Sequence, residues 1–274
     1  MEILKCPVCH NLLSDYTTLF KCLNNHSFDK NKKGYTNLLL SNQLHSLDPG
    51  DNKEMVNARS NFLKSDKYIS LRNMLFESIN KYKVNDSFTF LDIACGEGYY
   101  TNYLMSKFTK ANGVGIDLSK YALINAIRNK KELNLNNINY YVASLTKLPF
   151  LDNSIDIALN CFAPLDEIEF SRVLKDKGIF IRVLPNTYHL YELKEVLYNE
   201  VKLNEEKDSS LTNFTLLEIK EVDDVITLNN IEINNLFMMT PYYYKSPLEG
   251  SNKLKSLNEL KTRISFKIYI YQKN

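Results

Sequence analysis

Leu91-Asp-Ile-Ala-Cys-Gly-Glu-Gly-Tyr-Tyr-Thr101 is the stretch that decides the fold. An apolar run, Phe88–Ile93, leads into it and reads as a strand; Tyr99–Phe108 follows and reads as a helix. Small residues between a strand and a helix let the backbone turn tightly and approach a ligand. Asp117 ends the next apolar run, Gly113–Asp117. That is the spacing at which a Rossmann-like unit places a carboxylate for ribose hydroxyls.

The loop also says which cofactor it suits. A dinucleotide fingerprint is G-x-G-x-x-G with a pyrophosphate over the helix start. Here the last glycine is Gly98, one residue early, and Asp92 precedes the loop. A carboxylate beside a pyrophosphate repels it, whereas the same carboxylate suits a cationic amino group. The pattern Asp92-x-Ala94-x-Gly96-x-Gly98 therefore favours S-adenosylmethionine over NAD.

Outward from the loop, strands and helices alternate. Ser119–Leu133 reads as a helix with Ser119 as N-cap. Ile138–Ala143 and Ser154–Cys161 read as strands, Asp166–Leu174 as a helix and Gly178–Leu184 as a strand. This order implies an α/β class, a parallel sheet covered on both faces. Tyr188–Glu200 reads as a further helix and Arg263–Gln272 as a last strand; Leu203–Asn235 mixes acidic and short apolar runs and supports no assignment. Upstream, Leu71, Leu75 and Ile79 recur at helical spacing. Asn52–Lys83 reads as two helices broken near Ser65-Asp66. Asp48-Pro-Gly-Asp51 reads as a turn that caps the first of them.

A second motif lies at the start. Cys6-x2-Cys9, twelve residues, then Cys22-x3-His26 supplies three thiolates and one imidazole, the ligand set of a closed tetrahedral zinc site. Four protein ligands leave no open position, so the zinc is expected to be structural. His10 is a rival ligand, but its place next to Cys9 strains the knuckle. Forty residues bury little core, so the metal is expected to stabilise this ribbon. On that reading the cofactor domain stays folded without residues 1–40.

The bulk numbers set limits. The chain has 274 residues, 44% hydrophobic and 24% charged, with a net charge of +2. It can bury a core, and any nucleic acid must be met by a local patch rather than by overall charge. Lys245–Asn274 holds seven basic against two acidic residues, and Val201–Asp224 three against seven. No signal peptide and no run of roughly 18 apolar residues is present, so a cytosolic, membrane-free location is expected. Five cysteines in a reducing compartment argue for metal ligation rather than disulfides.

Several further stretches carry a resemblance. They are Cys6-Pro-x-Cys9 with Cys22-x3-His26, Gly34-Tyr-x-Asn-Leu-Leu39, Asp48-Pro-Gly-Asp51, Ala58-Arg59, Phe62-Leu63 and the glycine loop. Leu148-Pro-Phe150, Ala163-Pro164, His189-Leu-x-Glu-Leu-Lys194, Tyr198-Asn-Glu-Val201 and Met239-Thr-Pro241 follow in order. In these the chain resembles the bacterial 23S rRNA (guanine-N1)-methyltransferases, the RlmA family. The resemblance implies a Rossmann-like S-adenosylmethionine-dependent methyltransferase fold behind an N-terminal zinc ribbon. It implies methyl transfer to N1 of a guanine in a hairpin loop of 23S rRNA domain II, and a homodimer. It divides the chain into a ribbon for RNA recognition (1–40), a helical linker and cofactor lid (41–85) and the methyltransferase domain (86–274). Tyr68, Gly96, Glu97 and His189 should line the cofactor site beside Asp92, Gly98 and Asp117. Ala94 departs from the family, which usually has glycine there; alanine keeps the loop intact provided its φ is negative. Tyr244 stands where some relatives carry tryptophan.

The chemistry leaves one question open. Guanine N1 carries a proton at pH 7, which must leave before or during attack. Asp166, Glu167 and His189 are candidate bases, with His189 better placed as a cofactor ligand. Phe162 and Tyr242-Tyr-Tyr244 could stack on an unpaired guanine or simply pack in the core. The alternative function is methylation of a small molecule or another RNA, with the ribbon as a structural or dimerisation element.

Overall fold

The computed structural model of the protein describes residues 2–43, 50–206 and 208–274. Asp48 and Pro49 of the expected turn lie outside the described residues. The ribbon is a small antiparallel meander of β1 (Leu13–Asp15), β2 (Leu19–Cys22) and β3 (Ser27–Asp29). The main sheet draws on β4 (Thr36–Asn37), β5 (Thr89–Ile93), β6 (Asn112–Asp117), β7 (Ile138–Val142), β8 (Ile155–Cys161), β9 (Leu174–Pro185), β10 (Phe214–Asn229) and β11 (Glu259–Lys273). Their order across the sheet is β10-β11-β9-β8-β5-β6-β7-β4. Strands β4 to β9 run parallel to their neighbours and β11 is antiparallel to both β9 and β10. The order reverses between β5 and β8, and the C-terminal ends of the strands there form the ligand crevice of such sheets.

One face of the sheet is covered by helices. They are α1 (Lys53–Lys64), α2 (Ile69–Tyr82), α3 (Tyr99–Lys107), α4 (Lys120–Glu132), α6 (Tyr191–Leu197), α7 (Asn230–Met238) and α9 (Leu248–Lys255). Phe62, Leu71, Leu75, Leu104, Leu123, Leu193, Leu236 and Leu254 join one core with Phe90, Leu159 and Ile268 of the strands. Asn52 caps α1 by accepting from Met55 N–H, and Ser119 caps α4 as its sequence indicates. The break between α1 and α2 falls at Asp66, with φ of +56°. The short α8 (Tyr242–Lys245) follows α7.

The other face is covered by α5 (Glu167–Val173) and by the ribbon. Leu4, Cys6, Leu13, Phe20, Cys22 and Leu38 share a buried cluster with Leu91, Ile93, Val114, Ile116 and Tyr141. Backbone bonds fasten it: Lys5 N–H to Pro149 O, Leu151 N–H to Ile3 O and Leu38 N–H to Val142 O, each 2.9 Å. Strand β4, within the first forty residues, is the edge strand beside β7. The expectation of a separable ribbon is therefore corrected: its apolar side is part of the sheet's core.

Two further differences have physical reasons. The unassigned stretch Leu203–Asn235 contains β10, a 16-residue edge strand with mostly exposed acidic and apolar residues. Its alternation is broken by a bulge between Leu216 and Glu218, which hides the period of two. The expected helix Tyr188–Glu200 is shorter, Tyr191–Leu197, because Leu190 enters it with φ of +57°. His189 thus stands in the preceding turn, where its N–H donates to Asn186 O at 3.0 Å. Among the described residues no helix is long and apolar enough to cross a membrane.

Candidate active site

The loop from β5 to α3 holds three left-handed residues: Ala94 (φ +62°), Gly96 (φ +56°) and Gly98 (φ +73°). The condition set for Ala94 fails, because its φ is positive. An alanine there carries strain of roughly 1–2 kcal/mol that glycine avoids. The two glycines have different reasons. A Cβ on Gly98 would lie 2.7 Å from Tyr140 Oη and 2.9 Å from Ala126 Cβ, so Gly98 lets α3 pack against α4 and β7. A Cβ on Gly96 would meet nothing within 4 Å. Its main chain faces open space, as a cofactor cradle requires.

Asp117 organises the neighbouring turn. Its Oδ2 accepts from Gly96 N–H at 2.9 Å and its Oδ1 from Ser119 N–H at 2.8 Å. Asp92 is buried and accepts from Thr101 Oγ1. Glu97 is 3% exposed, and among the described residues its Oε1 has no hydrogen-bond partner. Burial pushes Asp92 up to about 7, opposed by the Thr101 bond and helped by Asp117 and Glu97. Burial also pushes Glu97 up to about 7 against the pull of Arg59, and raises Asp117. Arg59 of α1 pairs with Asp51, and Ser119 Oγ donates to Asp51 O at 2.7 Å. A Cβ on Gly50 would lie 2.9 Å from Ser119 N, so this segment closes tightly over the Asp117 turn.

A buried carboxyl cluster with one orphaned oxygen calls for a cationic, hydrogen-bonding ligand. The donor set fits S-adenosylmethionine: Asp117 for ribose hydroxyls, Gly96 for close main-chain approach, and Glu97 and Asp92 for the positive end. Arg59 and Thr101 escaped assignment from the sequence. Thr101 sits nine residues from Asp92, and Arg59 lies far upstream of Glu97 on a separate helix, so only the fold shows them as neighbours of the carboxyl cluster.

Tyr68 and His189, both expected at the site, belong to one group of packed aromatic rings. Tyr68 packs edge-on to Phe62 and Phe266 at 5.1 and 5.0 Å and to His189 at 6.3 Å. His189 lies 4.6 Å from Phe266, and Phe162 lies 5.3 Å from the same ring. His189 Nδ1 accepts from Ser265 N–H at 3.2 Å. Burial, helped by Lys194, lowers its pKa to about 3. With Nδ1 accepting from the main chain and burial disfavouring the charged form, the neutral ring keeps its proton on Nε2. The other candidates are engaged too: Asp166 caps α5, and Glu167 accepts from Asn213 N–H at 2.6 Å.

In the ribbon, the ligand atoms of Cys6, Cys9, Cys22 and His26 all lie within 4.8 Å of one another. Cys9 and Cys22 sulfurs are 3.5 Å apart, and His26 Nδ1 lies 3.5 and 3.7 Å from Cys22 and Cys6 Sγ. Four ligands at about 2.0–2.3 Å from a tetrahedral zinc have comparable separations. The site fits zinc with no open position. His10 is exposed and stands outside the cluster.

Comparison with known proteins agrees with this geometry. The chain belongs to the family described as Methyltransferase domain, whose model matches residues 84–259. Residues 4–47 match the model described as RlmA, N-terminal, a zinc ribbon. A Streptomyces fradiae 23S rRNA (guanine(748)-N(1))-methyltransferase is 26% identical, over 94% of this chain and 91% of its own. The Bacillus subtilis protein YxjB, provisionally named a 23S rRNA (guanine-N(1)-)-methyltransferase, is 28% identical over 99% and 98%. Among solved structures, the YcgJ protein of Bacillus subtilis shares the fold, with a TM-score of 0.54 at 16% identity over 76% of this chain and 99% of that one. The chain is an S-adenosylmethionine-dependent methyltransferase with a structural zinc ribbon.

Proposed function

We propose that the protein methylates N1 of a guanine in a hairpin loop of 23S rRNA domain II. The observation that carries the reading is the fusion, through one core, of a Cys3His ribbon to a sheet whose acid-lined loop suits S-adenosylmethionine. The near full-length similarity to proteins named as guanine-N1 methyltransferases supports the same substrate.

Bound S-adenosylmethionine supplies a methyl group already activated by its sulfonium. The protein's part is alignment. Asp117 holds the ribose, Gly96 gives the backbone approach, and Glu97, Asp92, Tyr68 and His189 fix the remaining groups. N1 lies on the Watson–Crick edge, so the guanine must be unpaired or flipped out. Phe162 is 43% exposed at the end of β8 and offers a stacking face there. The ribbon's lysines meet RNA phosphates, residues 41–85 close over the cofactor, and the enzyme works as a cytoplasmic homodimer.

Methyl transfer to a transcript of the domain II hairpin, run beside other RNAs and a metabolite panel, tests this. Incorporation at one guanine N1 of the hairpin supports the reading. Incorporation only into a small molecule overturns it.

A further inference from the structure

The first turn of α3 carries a buried phenol that the site described above does not use. Tyr100 is 9% exposed, and among the described residues its Oη has no hydrogen-bond partner. Neighbouring phenols are engaged: Tyr99 Oη donates to Asp66 at 3.3 Å, Tyr103 Oη to Asn73 at 3.2 Å and Tyr140 Oη to Asn102 at 2.7 Å. A buried hydroxyl left unpaired is costly, so Tyr100 calls for a partner that the chain itself does not supply.

The surroundings put this hydroxyl at the crevice. Tyr100 and Tyr68 belong to the core on the helix-covered face of the sheet, and Cys161 packs against the same core. Cys161 follows Asn160, the parallel partner of Ile93, so it ends β8 level with the start of the glycine loop. Burial raises the Tyr100 pKa well above the usual phenol value, and the nearby charges of Cys161, Tyr68, Tyr99 and Glu97 add to the rise. The hydroxyl thus stands among the loop, the end of β8 and the residue that opens α2, and it keeps its proton as a donor.

We infer that the Tyr100 hydroxyl donates to the carboxylate of S-adenosylmethionine, which makes Tyr100 a cofactor-binding residue beside Glu97. This rests on the placement of the cofactor's positive amino end at Glu97 proposed above, and not on which RNA is methylated. The ammonium and the carboxylate share one carbon, so their partners must be close neighbours. Tyr100 follows Glu97 by three residues, about one helical turn. Other side-chain donors at the loop are occupied: Arg59 by Asp51, Thr101 by Asp92 and Ser119 by Asp51 O. No side chain caps α3, and the partial positive charge at its N-terminus favours an anion beside its first turn. The acceptor base is the poorer partner, because it approaches the methyl group and not the carbon that Glu97 holds. Fixing both charges of that carbon aims the methyl group for transfer.

The test compares calorimetric binding of S-adenosylmethionine and of its decarboxylated analogue, which keeps the sulfonium and the amino group. Wild type should bind the analogue roughly 10- to 100-fold more weakly, the range of one charged hydrogen bond. Tyr100→Phe should lose a similar factor on S-adenosylmethionine and bind the analogue as wild type does. Without ligand, its melting temperature should match or exceed that of wild type, because an unpaired buried hydroxyl has gone. Equal losses on both ligands, with a lower melting temperature, would mean that the hydroxyl holds a buried water in the fold, and would overturn the inference. Unchanged affinity for S-adenosylmethionine would overturn it too, and a raised KM for the RNA would then assign the phenol to the acceptor. Glu97→Gln should weaken both ligands alike; binding unchanged in that variant would instead overturn the Glu97 placement.

Discussion

The ribbon and the glycine loop are both ligand sites built from few residues, yet they are held by different forces. The ribbon's knuckles rest on four ligand atoms within 4.8 Å. The loop rests on a packed sheet, with Gly98 seated against Ala126 and Tyr140 and with Asp117 tying two main-chain N–H groups. A metal site supplies its stability locally, whereas the loop borrows stability from everything beneath it. The contrast is incomplete, because Phe20, Cys22 and Leu38 lie in the sheet's own core. Loss of the metal should therefore reach the cofactor domain.

The largest effect should come from breaking the ribbon. Cys22→Ser, or zinc removal by a chelator, should lower the Tm of the whole chain by roughly 10 °C or more. Calorimetry should show one broadened or shifted transition. Two independent transitions, the upper one unmoved, would restore the picture of a separable ribbon.

Breaking the loop should cost binding instead. Asp117→Ala removes a carboxylate that ties the turn and that the proposed function assigns to the ribose, so S-adenosylmethionine affinity should drop at least tenfold, since charged hydrogen bonds contribute roughly 1.5–3 kcal/mol each. Unchanged calorimetric binding would remove Asp117 from the site.

The acid cluster adds a pH signature. Asp92 and Glu97 are held near 7, above their usual range, chiefly by burial. Between about pH 4.5 and 7 the folded, ligand-free protein binds protons that the unfolded chain has released, so this part of its stability falls as pH rises. A cationic ligand reverses the preference. Its affinity should increase from pH 6 to pH 8, and binding should release protons, read as a buffer-dependent heat. Proton uptake would contradict the sign.

The smallest effect concerns Ala94. Ala94→Gly relieves a positive φ and should stabilise the protein by about 1 kcal/mol, a Tm rise of roughly 2–4 °C. A lower Tm would mean that the alanine methyl packs better than its backbone strain costs.

Much of this was legible before the fold was in view. The zinc ligands and the β5–α3–β6 unit depend on short-range spacing, and Ser119 as a cap depends only on the residues it adjoins. What escaped was set by tertiary contact. The joining of ribbon and sheet follows from a two-residue strand, Thr36–Asn37, too short to show a period. Strand β10 is exposed and bulged, so its pattern is blurred. His189 reads as helical but sits in a turn, because Leu190 adopts a left-handed conformation that its side chain does not announce.

The most direct test of the account is nucleoside mass mapping of 23S rRNA from a strain lacking this protein. The account predicts the loss of one N1-methylguanosine in the domain II hairpin, restored by the wild-type chain and not by Asp117→Ala. An rRNA digest unchanged by the deletion would contradict it.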